Sequence, residues 1–461
     1  MAVALLIQPM KGEGKPSFCN PMPLFFITTL GCKVNQQESD AIAACLESAG
    51  WQKTSKIREA SILILNTCTV TGKAAAHCRQ QIRKMVQHNP TALFMVTGCC
   101  AQTEGEALAA MEGVDHVIPH KDKHRIPELL YAYREGQPLA YPSCHDETAC
   151  EETLFMDIPA PARDMGRTRA FLKIQDGCNA FCTYCIVPYA RGRSRSLSPD
   201  RVVQKIRDLA EAGYREVVLT GIHVGMYGSD LTARTNFEEL LRIILADGEG
   251  PRLRMGSLEP REVTDSLIEL AASNPRVAPH FHIPMQSGSD AILKAMGRPY
   301  DSVFFAERVS AVRKALPLAA IGTDILTGFP GEQENLFAES RLLVETLPLT
   351  YLHVFPYSPR PGTPAAGFPD TVPVETARQR SSVLRNIGED KHRHFARSLR
   401  GHTLELIVER SRDRKTDRLK GLTGNYQTLF LDGPDSLLSR QISVLVTDTD
   451  VNACLEGTLI P

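Results

Sequence analysis

The chain has 461 residues, 43% of them hydrophobic and 23% charged, with a formal net charge of -1. That balance excludes a global basic field for nucleic acid, so any basic surface must be local, and no apolar run reaches the length of a membrane span. Thirteen cysteines, an odd number in a long chain, argue against a disulfide framework and leave metal binding, catalysis or small buried hydrophobes.

Residues 1–22 read as a flexible extension. Met1 to Ile7 is apolar but short, with no basic front or cleavage site, so a cytoplasmic protein without a signal peptide or membrane contact is expected. From 23 to 135, strand-like runs at 25–29, 62–65 and 93–96 alternate with helical stretches at 38–49 and 74–87, which predicts an open parallel α/β sheet domain. Residues 136–163 are polar, contain proline and read as a linker; Cys144 and Cys150 have no strand context there and receive no role. From 164 to 397 there are six strand candidates, at 171–174, 216–219, 252–255, 280–283, 320–326 and 351–355. Helical patterns separate most of them. The clearest has Ser198 as N-cap, Pro199 in its first turn, Val202, Val203, Ile206 and Leu209 on its apolar face, and a stop at Gly213. Six β/α units predict a partial (β/α)6 version of the eight-fold barrel. From 398 to 461, alternating apolar runs at 404–408, 427–431 and 442–446, split by turn residues, predict a small all-β barrel.

Cys178, Cys182 and Cys185 follow the first barrel strand within one loop. Three thiolates at this spacing ligate three irons of a [4Fe–4S] cube and leave the fourth to a non-protein ligand. The amino and carboxylate groups of S-adenosylmethionine can chelate that iron, and the cofactor then carries the radical chemistry. A three-cysteine zinc site is the plainer alternative, but zinc sites usually add a second cysteine pair elsewhere. Cys32, Cys68 and Cys99 each end one of the three N-terminal strands. Strand ends in an open α/β sheet share one rim, so these three can converge on a second cluster. Cys100 competes with Cys99 for the third place, although the residue directly after the glycine turn is the better candidate.

Residues 30–36 (Leu-Gly-Cys-Lys-Val-Asn-Gln), 66–70 (Asn-Thr-Cys-Thr-Val) and 97–102 (Thr-Gly-Cys-Cys-Ala-Gln) resemble the N-terminal motifs of the radical SAM methylthiotransferases. The resemblance continues through 166–178, 282–289 and 323–332, and the C-terminal barrel resembles that family's RNA-binding TRAM module. It covers nearly everything from Pro23 onward. Cys100 departs from the family pattern, which has tyrosine there. The Gly-Cys-Lys-Val-Asn-Gln version resembles the branch acting on N6-threonylcarbamoyladenosine beside the tRNA anticodon, at position 37. Two branches stand as alternatives, one acting on N6-isopentenyladenosine in tRNA and one on an aspartate of a ribosomal protein. A non-catalytic cluster carrier is disfavoured, because three cysteines per cluster do not suit simple electron transfer.

The resemblance implies two [4Fe–4S] clusters with distinct roles. The one on Cys178, Cys182 and Cys185 makes the radical; the one on Cys32, Cys68 and Cys99 holds or supplies the sulfur. It also implies a tRNA anticodon stem-loop as substrate, an electron donor such as flavodoxin or ferredoxin, and a sulfur donor. Strand-end residues are candidates for holding S-adenosylmethionine: Thr220 and Gly221 through backbone carbonyls, then Ser257, Glu259 and Gln286, with Gly328 and Gly331 letting backbone approach the adenine. Ordinary turn chemistry explains the same residues equally well. Two basic stretches are candidate phosphate contacts: 163–195, with seven Lys/Arg against two acidic residues, and 400–420, with seven against four. His223, His280 and His282 lie near strand ends and read as packed or hydrogen-bonded histidines.

Overall fold

The computed structural model describes residues 23–135 and 168–460, so the extension over 1–22, the linker over 136–163, Cys144 and Cys150 lie outside the described residues. The chain divides into two compact units. The described residues of the first are 23–135, 176–180 and 185–195, and those of the second are 168–175, 181–184 and 196–460.

In the first unit, β1 (Leu24–Thr29), β2 (Gln52–Lys53), β3 (Ile62–Thr67), β4 (Leu93–Gly98) and β5 (His116–Ile118) form a parallel sheet in the order β2-β1-β3-β4-β5. The helices are α1 (Lys33–Ser48), α2 (Gly72–His88), α3 (Cys99–Thr103), α4 (Gly105–Ala109) and α5 (Ile126–Arg134), with α6 (Val187–Arg191) supplied from later in the chain. Successive strand side chains point to opposite faces. Ile62, Ile64, Leu93 and Met95 pack with Ile42, Leu46, Leu129 and Leu130, while Leu63, Leu65, Phe94 and Val96 pack with Ala75, Cys78 and Ile82. Burial on both faces is why β3 and β4 are apolar runs without alternation. The edge strands β2 and β5, two and three residues long, are too short to leave a pattern in sequence.

In the second unit, all six expected barrel strands are present: β6 (Ala170–Lys173), β9 (Glu216–Thr220), β10 (Arg252–Met255), β11 (His280–His282), β12 (Ala320–Thr327) and β13 (Tyr351–Pro356). Two short strands, β7 (Gln175–Asp176) and β8 (Arg195–Ser196), intervene in the chain. The helices are α7 (Pro199–Glu211, with Ser198 as N-cap as expected), α8 (Phe237–Ala246), α9 (Asp265–Ser273), α10 (Asp290–Ala295), α11 (Ser302–Ala315), α12 (Glu334–Thr346) and α13 (Val374–Ser398). The strands pair as two parallel sheets, β10-β9-β6 and β11-β12-β13, with the isolated bridge Ser257↔His282 between the end of β10 and β11. The prolines at 279 and 284 that bracket β11 lack the N–H a continuous ladder needs.

Leu352 lies against Gly388 of α13, where an added Cβ would stand 3.0 Å away, so the alternate residues Tyr351, His353 and Phe355 face the lumen. Tyr351 lies across Gly322, where a Cβ would fall 1.9 Å from its ring, and its hydroxyl reaches His280 Nε2 (2.8 Å) and His282 Nδ1 (3.0 Å). Glu216 on β9 pairs with Arg252 (2.7 Å) and Arg254 (2.8 Å) on β10.

The C-terminal strands β14 (Thr403–Val408), β15 (Leu419–Thr423), β16 (Thr428–Leu431), β17 (Gln441–Thr449) and β18 (Leu455–Leu459) close a barrel in the order β14-β15-β16-β18-β17. Its core of Leu406, Val408, Leu429, Leu431, Val444 and Leu455 also takes in Phe395 and Leu399 at the end of α13. The β15–β16 turn meets the lumen residues: Arg254 donates to the carbonyls of Thr423 (3.1 Å) and Gly424 (2.9 Å), and Tyr426 stacks on His280 at 4.5 Å. Among the described residues no helix is long and apolar enough to cross a membrane.

Candidate functional site: two sets of cysteines and a polar lumen

The C-terminal ends of β1, β3 and β4 are neighbours on the first unit's sheet, and each runs into a cysteine: Cys32, Cys68 and Cys99. Gly31 turns with φ +103 and lies so close to Cys68 that a Cβ would stand 2.9 Å from its Sγ. Only glycine brings the Cys32 segment over Cys68 in this way. Charge on Cys32 or Cys99 raises the Cys68 thiol, and charge on Cys32 raises Cys99, which places the three sulfurs within electrostatic reach. Cys100 instead packs in the core with Ala75, Cys78 and Ile82.

A buried charge network adjoins these thiols within the same unit. Arg191 donates to Asn35 Oδ1, to Glu38 Oε1 (3.1 Å) and to Asp176 Oδ1 (2.8 Å), and Lys123 pairs with Glu38. Although burial opposes it, Cys99, Glu38 and Asp176 hold the Arg191 proton well above its ordinary value. Burial pushes the Cys68 thiol up to about 11, and Arg191 works against that rise. Burial likewise raises Cys99, with Arg191 and Lys123 opposing. His120 is buried 3.7 Å from Asp176, and burial followed by Lys123 and Arg191 holds its pKa down to about 3. Sequence reasoning did not single out these residues. The available signal was their company: Asn35 stands three residues after Cys32, and Asp176 two before Cys178.

The loop after β6 places Cys178, Cys182 and Cys185 within eight residues, and no disulfide engages any of them. Within the first unit, the Cys178 amide donates to the Gly192 carbonyl (3.1 Å) and its Sγ accepts from the Ala180 amide (3.4 Å). Within the second unit, buried Cys182 accepts from Arg298 Nη1 at 3.1 Å, and Arg298 also pairs with Glu259. Thr183 is tied to the Met296 carbonyl through its amide (3.0 Å) and to the Ala295 carbonyl through its hydroxyl (2.9 Å).

The residues expected to hold S-adenosylmethionine all lie at or just past strand ends of the second unit. The Thr220 carbonyl accepts the Ile174 amide (2.9 Å). Gly221 lies against Gln175, whose Oε1 accepts the amides of Ile222 (3.0 Å) and His223 (2.8 Å). Ser257 bridges His282, and Glu259 opens a capping box closed by Glu262. Gln286 is left-handed at φ 64, with its amide on the Asp324 carbonyl (2.8 Å). The Gly328 amide donates to Glu332 Oε2 (2.6 Å), and that of Gly331 to the Asp370 carbonyl (2.9 Å).

Facing the lumen, Asp324 Oδ1 accepts from His282 Nε2 (3.0 Å) and His353 Nδ1 (3.1 Å). Burial opposes it, but these two imidazoles hold Asp324 well below the usual carboxylate range. His223 pairs with Glu262 at 2.6 Å. The two basic stretches are corrected in part. Lys173 and Arg191 are buried, which removes them from any phosphate-binding face. Arg412 and Arg418 pair with Asp435 and Asp432, which leaves Arg400, Arg414 and Lys415 exposed.

Residues 24–119 match the family described as "Uncharacterized protein family UPF0004", and residues 172–344 match the radical SAM superfamily. Threonylcarbamoyladenosine tRNA methylthiotransferase MtaB of Bacillus subtilis is 38% identical over 422 residues, 91% of this chain and 92% of that protein. The tRNA-2-methylthio-N(6)-dimethylallyladenosine synthase of Dictyoglomus thermophilum is 33% identical, covering 93% of this chain and 96% of that protein. In fold, the chain resembles the radical S-adenosylmethionine methyltransferase TsrM from Kitasatospora setae. The TM-score is 0.55 at 17% identity, over 75% of this chain and 77% of that one.

Proposed function

The chain belongs to the radical SAM methylthiotransferases, and from that premise we propose that it adds a methylthio group to adenine C2 of N6-threonylcarbamoyladenosine beside the anticodon of a tRNA. The observation that carries the reading is the convergence of Cys32, Cys68 and Cys99 on one rim, beside the Arg191 network, in a chain that also has the Cys178, Cys182 and Cys185 loop. The family implies S-adenosylmethionine and one [4Fe–4S] cluster; the N-terminal thiols are assigned a second cluster.

The donor sets fit. Each has three thiols, which leaves one iron of a cube for a non-protein ligand, and buried Arg191 and Lys123 supply cations beside the thiolates of the N-terminal set. When bound, these groups supply a 5′-deoxyadenosyl radical that removes hydrogen from adenine C2, and the sulfur and methyl that replace it. The protein's own part is position and charge. Arg298 holds the Cys182 sulfur, and Thr183 ties its loop to the segment after α10. Thr220, Gly221, Ser257, Glu259, Gln286, Gly328 and Gly331 are assigned to the S-adenosylmethionine side of the barrel mouth. An anticodon stem-loop offers an unstacked base to that mouth, with Arg400, Arg414 and Lys415 available to phosphates. The reaction further requires an electron donor of the flavodoxin or ferredoxin class and a sulfur donor.

Relatives named for threonylcarbamoyladenosine share more identity with this chain than the compared relative named for dimethylallyladenosine, which supports the choice of nucleoside. The test is nucleoside mass spectrometry of tRNA from a deletion strain. Loss of 2-methylthio-N6-threonylcarbamoyladenosine, with its unthiolated precursor accumulating, is expected; an unchanged level overturns the reading.

A further inference from the structure

The lumen wall formed by β11, β12 and β13 carries His280, His282, Asp324, Tyr351 and His353 in one hydrogen-bonded group. Its central feature is a carboxylate bracketed by two imidazoles. Asp324 Oδ1 takes His282 Nε2 at 3.0 Å and His353 Nδ1 at 3.1 Å, with side-chain exposure falling from 52% at His353 to 27% at Asp324 and 9% at His282. An ionised carboxylate only accepts hydrogen bonds, so both imidazoles donate to it. For His353 this fixes the Nδ1–H tautomer and leaves Nε2 without a hydrogen-bond partner among the described residues. Further contacts lie behind it: the Tyr351 hydroxyl reaches both His282 and His280, and His280 stacks on Tyr426. One imidazole edge is thus aimed by Asp324, backed by the His282 and Tyr351 rings, and presented to the lumen. A residue needed only for packing would not require that arrangement.

We propose that His353, aimed by Asp324, reads the N6 substituent of the target adenosine, and that the His282–Asp324–His353 wall selects a polar, carboxylate-bearing substituent over an alkenyl one. The inference rests on the nucleoside assignment above and adds the residues that enforce it. A threonylcarbamoyl group offers Nε2 a partner in either protonation state, because it carries N–H and O–H donors as well as carbonyl and carboxylate acceptors. A dimethylallyl group offers neither. It would strip water from Nε2 and from Asp324 and return no hydrogen bond. Fully enclosed sites built around such bonds reject the analogue that lacks them by about 10⁴–10⁵-fold.

The test uses the reconstituted full chain and two anticodon stem-loop RNAs, one carrying threonylcarbamoyladenosine and one carrying dimethylallyladenosine. The readout is the ratio of their kcat/KM values. In His353→Leu the ratio should fall at least about tenfold, mainly through a raised KM for the threonylcarbamoyl RNA. His353→Gln should recover part of the loss. Asp324→Asn should lower the ratio as well, by releasing the ring. Iron content and RNA-free cleavage of S-adenosylmethionine should stay at wild-type levels in the His353 variants, which separates a recognition role from a structural one. A wild type that prefers the threonylcarbamoyl RNA, with both His353→Leu and Asp324→Asn keeping that preference, overturns the inference alone. A wild type with no such preference overturns the nucleoside assignment and the inference together.

Discussion

Arg191→Met should destabilise the first unit and loosen its hold on iron at the same time. The Arg191 side chain is 1% exposed, and it bonds Glu38 and Asp176, which are 0% and 4% exposed. Removing one partner of a buried pair costs about 3–5 kcal/mol, because the charge left behind is uncompensated. Lys123 still faces Glu38, and Arg195 still lies 3.8 Å from Asp176, so the lower end of that range, about 3 kcal/mol, is expected. Urea unfolding of the iron-free protein reads this directly. Trp51 is the chain's single tryptophan, and it is buried in the first unit's core. Its fluorescence should lose its midpoint by an amount equal to that energy divided by the slope. The second effect follows from charge. Arg191 lowers the thiols of Cys68 and Cys99, so without it both rise further. Metal ligation needs thiolates, so the variant should require a higher pH than the wild type to keep its N-terminal iron against a chelator. A loss below about 1 kcal/mol with an unshifted chelation profile would refute the reasoning, since a dispensable Arg191 is not the counter-charge of this network.

Three further outcomes are expected. Iron and sulfide analysis should find roughly eight irons in the reconstituted wild type and about four in each of Cys68→Ala and Cys182→Ala, because the two cysteine sets are assigned one four-iron cluster each; a variant that loses all its iron, or none, would contradict two independent sites. His120 has a folded pKa of about 3 against an ordinary 6.5, chiefly through burial. Its contribution to stability is therefore complete above pH 6.5 and is lost as pH falls toward 3, at about 1.4 kcal/mol per pH unit, as the unfolded chain takes up a proton the folded one refuses. His120→Asn should flatten the acid slope of Trp51-monitored unfolding of the iron-free protein between pH 7 and pH 5, and an unaltered slope would count against it. Arg298→Gln removes a cation from the Cys182 sulfur, which favours the oxidised state of the bound cluster. Its potential should fall by tens of millivolts, about 60 mV for each 1.4 kcal/mol in a one-electron couple, as read by redox titration with electron paramagnetic resonance; an unchanged potential would show that the Arg298 contact does not reach the cluster.

Periodicity made the long elements legible. The runs over β3 and β4 are apolar because both faces are covered, and α7 announced itself through Ser198, Pro199 and its apolar stripe. What escaped was short or glycine-bearing. Edge strand β2 has two residues, while β15 (Leu-Lys-Gly-Leu-Thr) and β18 (Leu-Glu-Gly-Thr-Leu) interrupt their alternation with a glycine that lets neighbouring backbone approach. The cysteines were legible for a chemical reason, since few structures other than a metal site need three thiols at three strand ends. Their electrostatic partners were not, because a charge in sequence carries no sign of what opposes it. Arg191 belonged to a stretch whose composition suggested a phosphate-binding surface, yet folding turns it inward onto Glu38, which is more than 150 positions away, and onto Asp176. The same limit explains His353. As one histidine in an edge strand it has no motif value, and only the register that sets Asp324 opposite it gives the ring an orientation. Sequence identifies groups that are chemically unusual in themselves; groups that become unusual through a partner distant in the chain emerge only with the register and the packing.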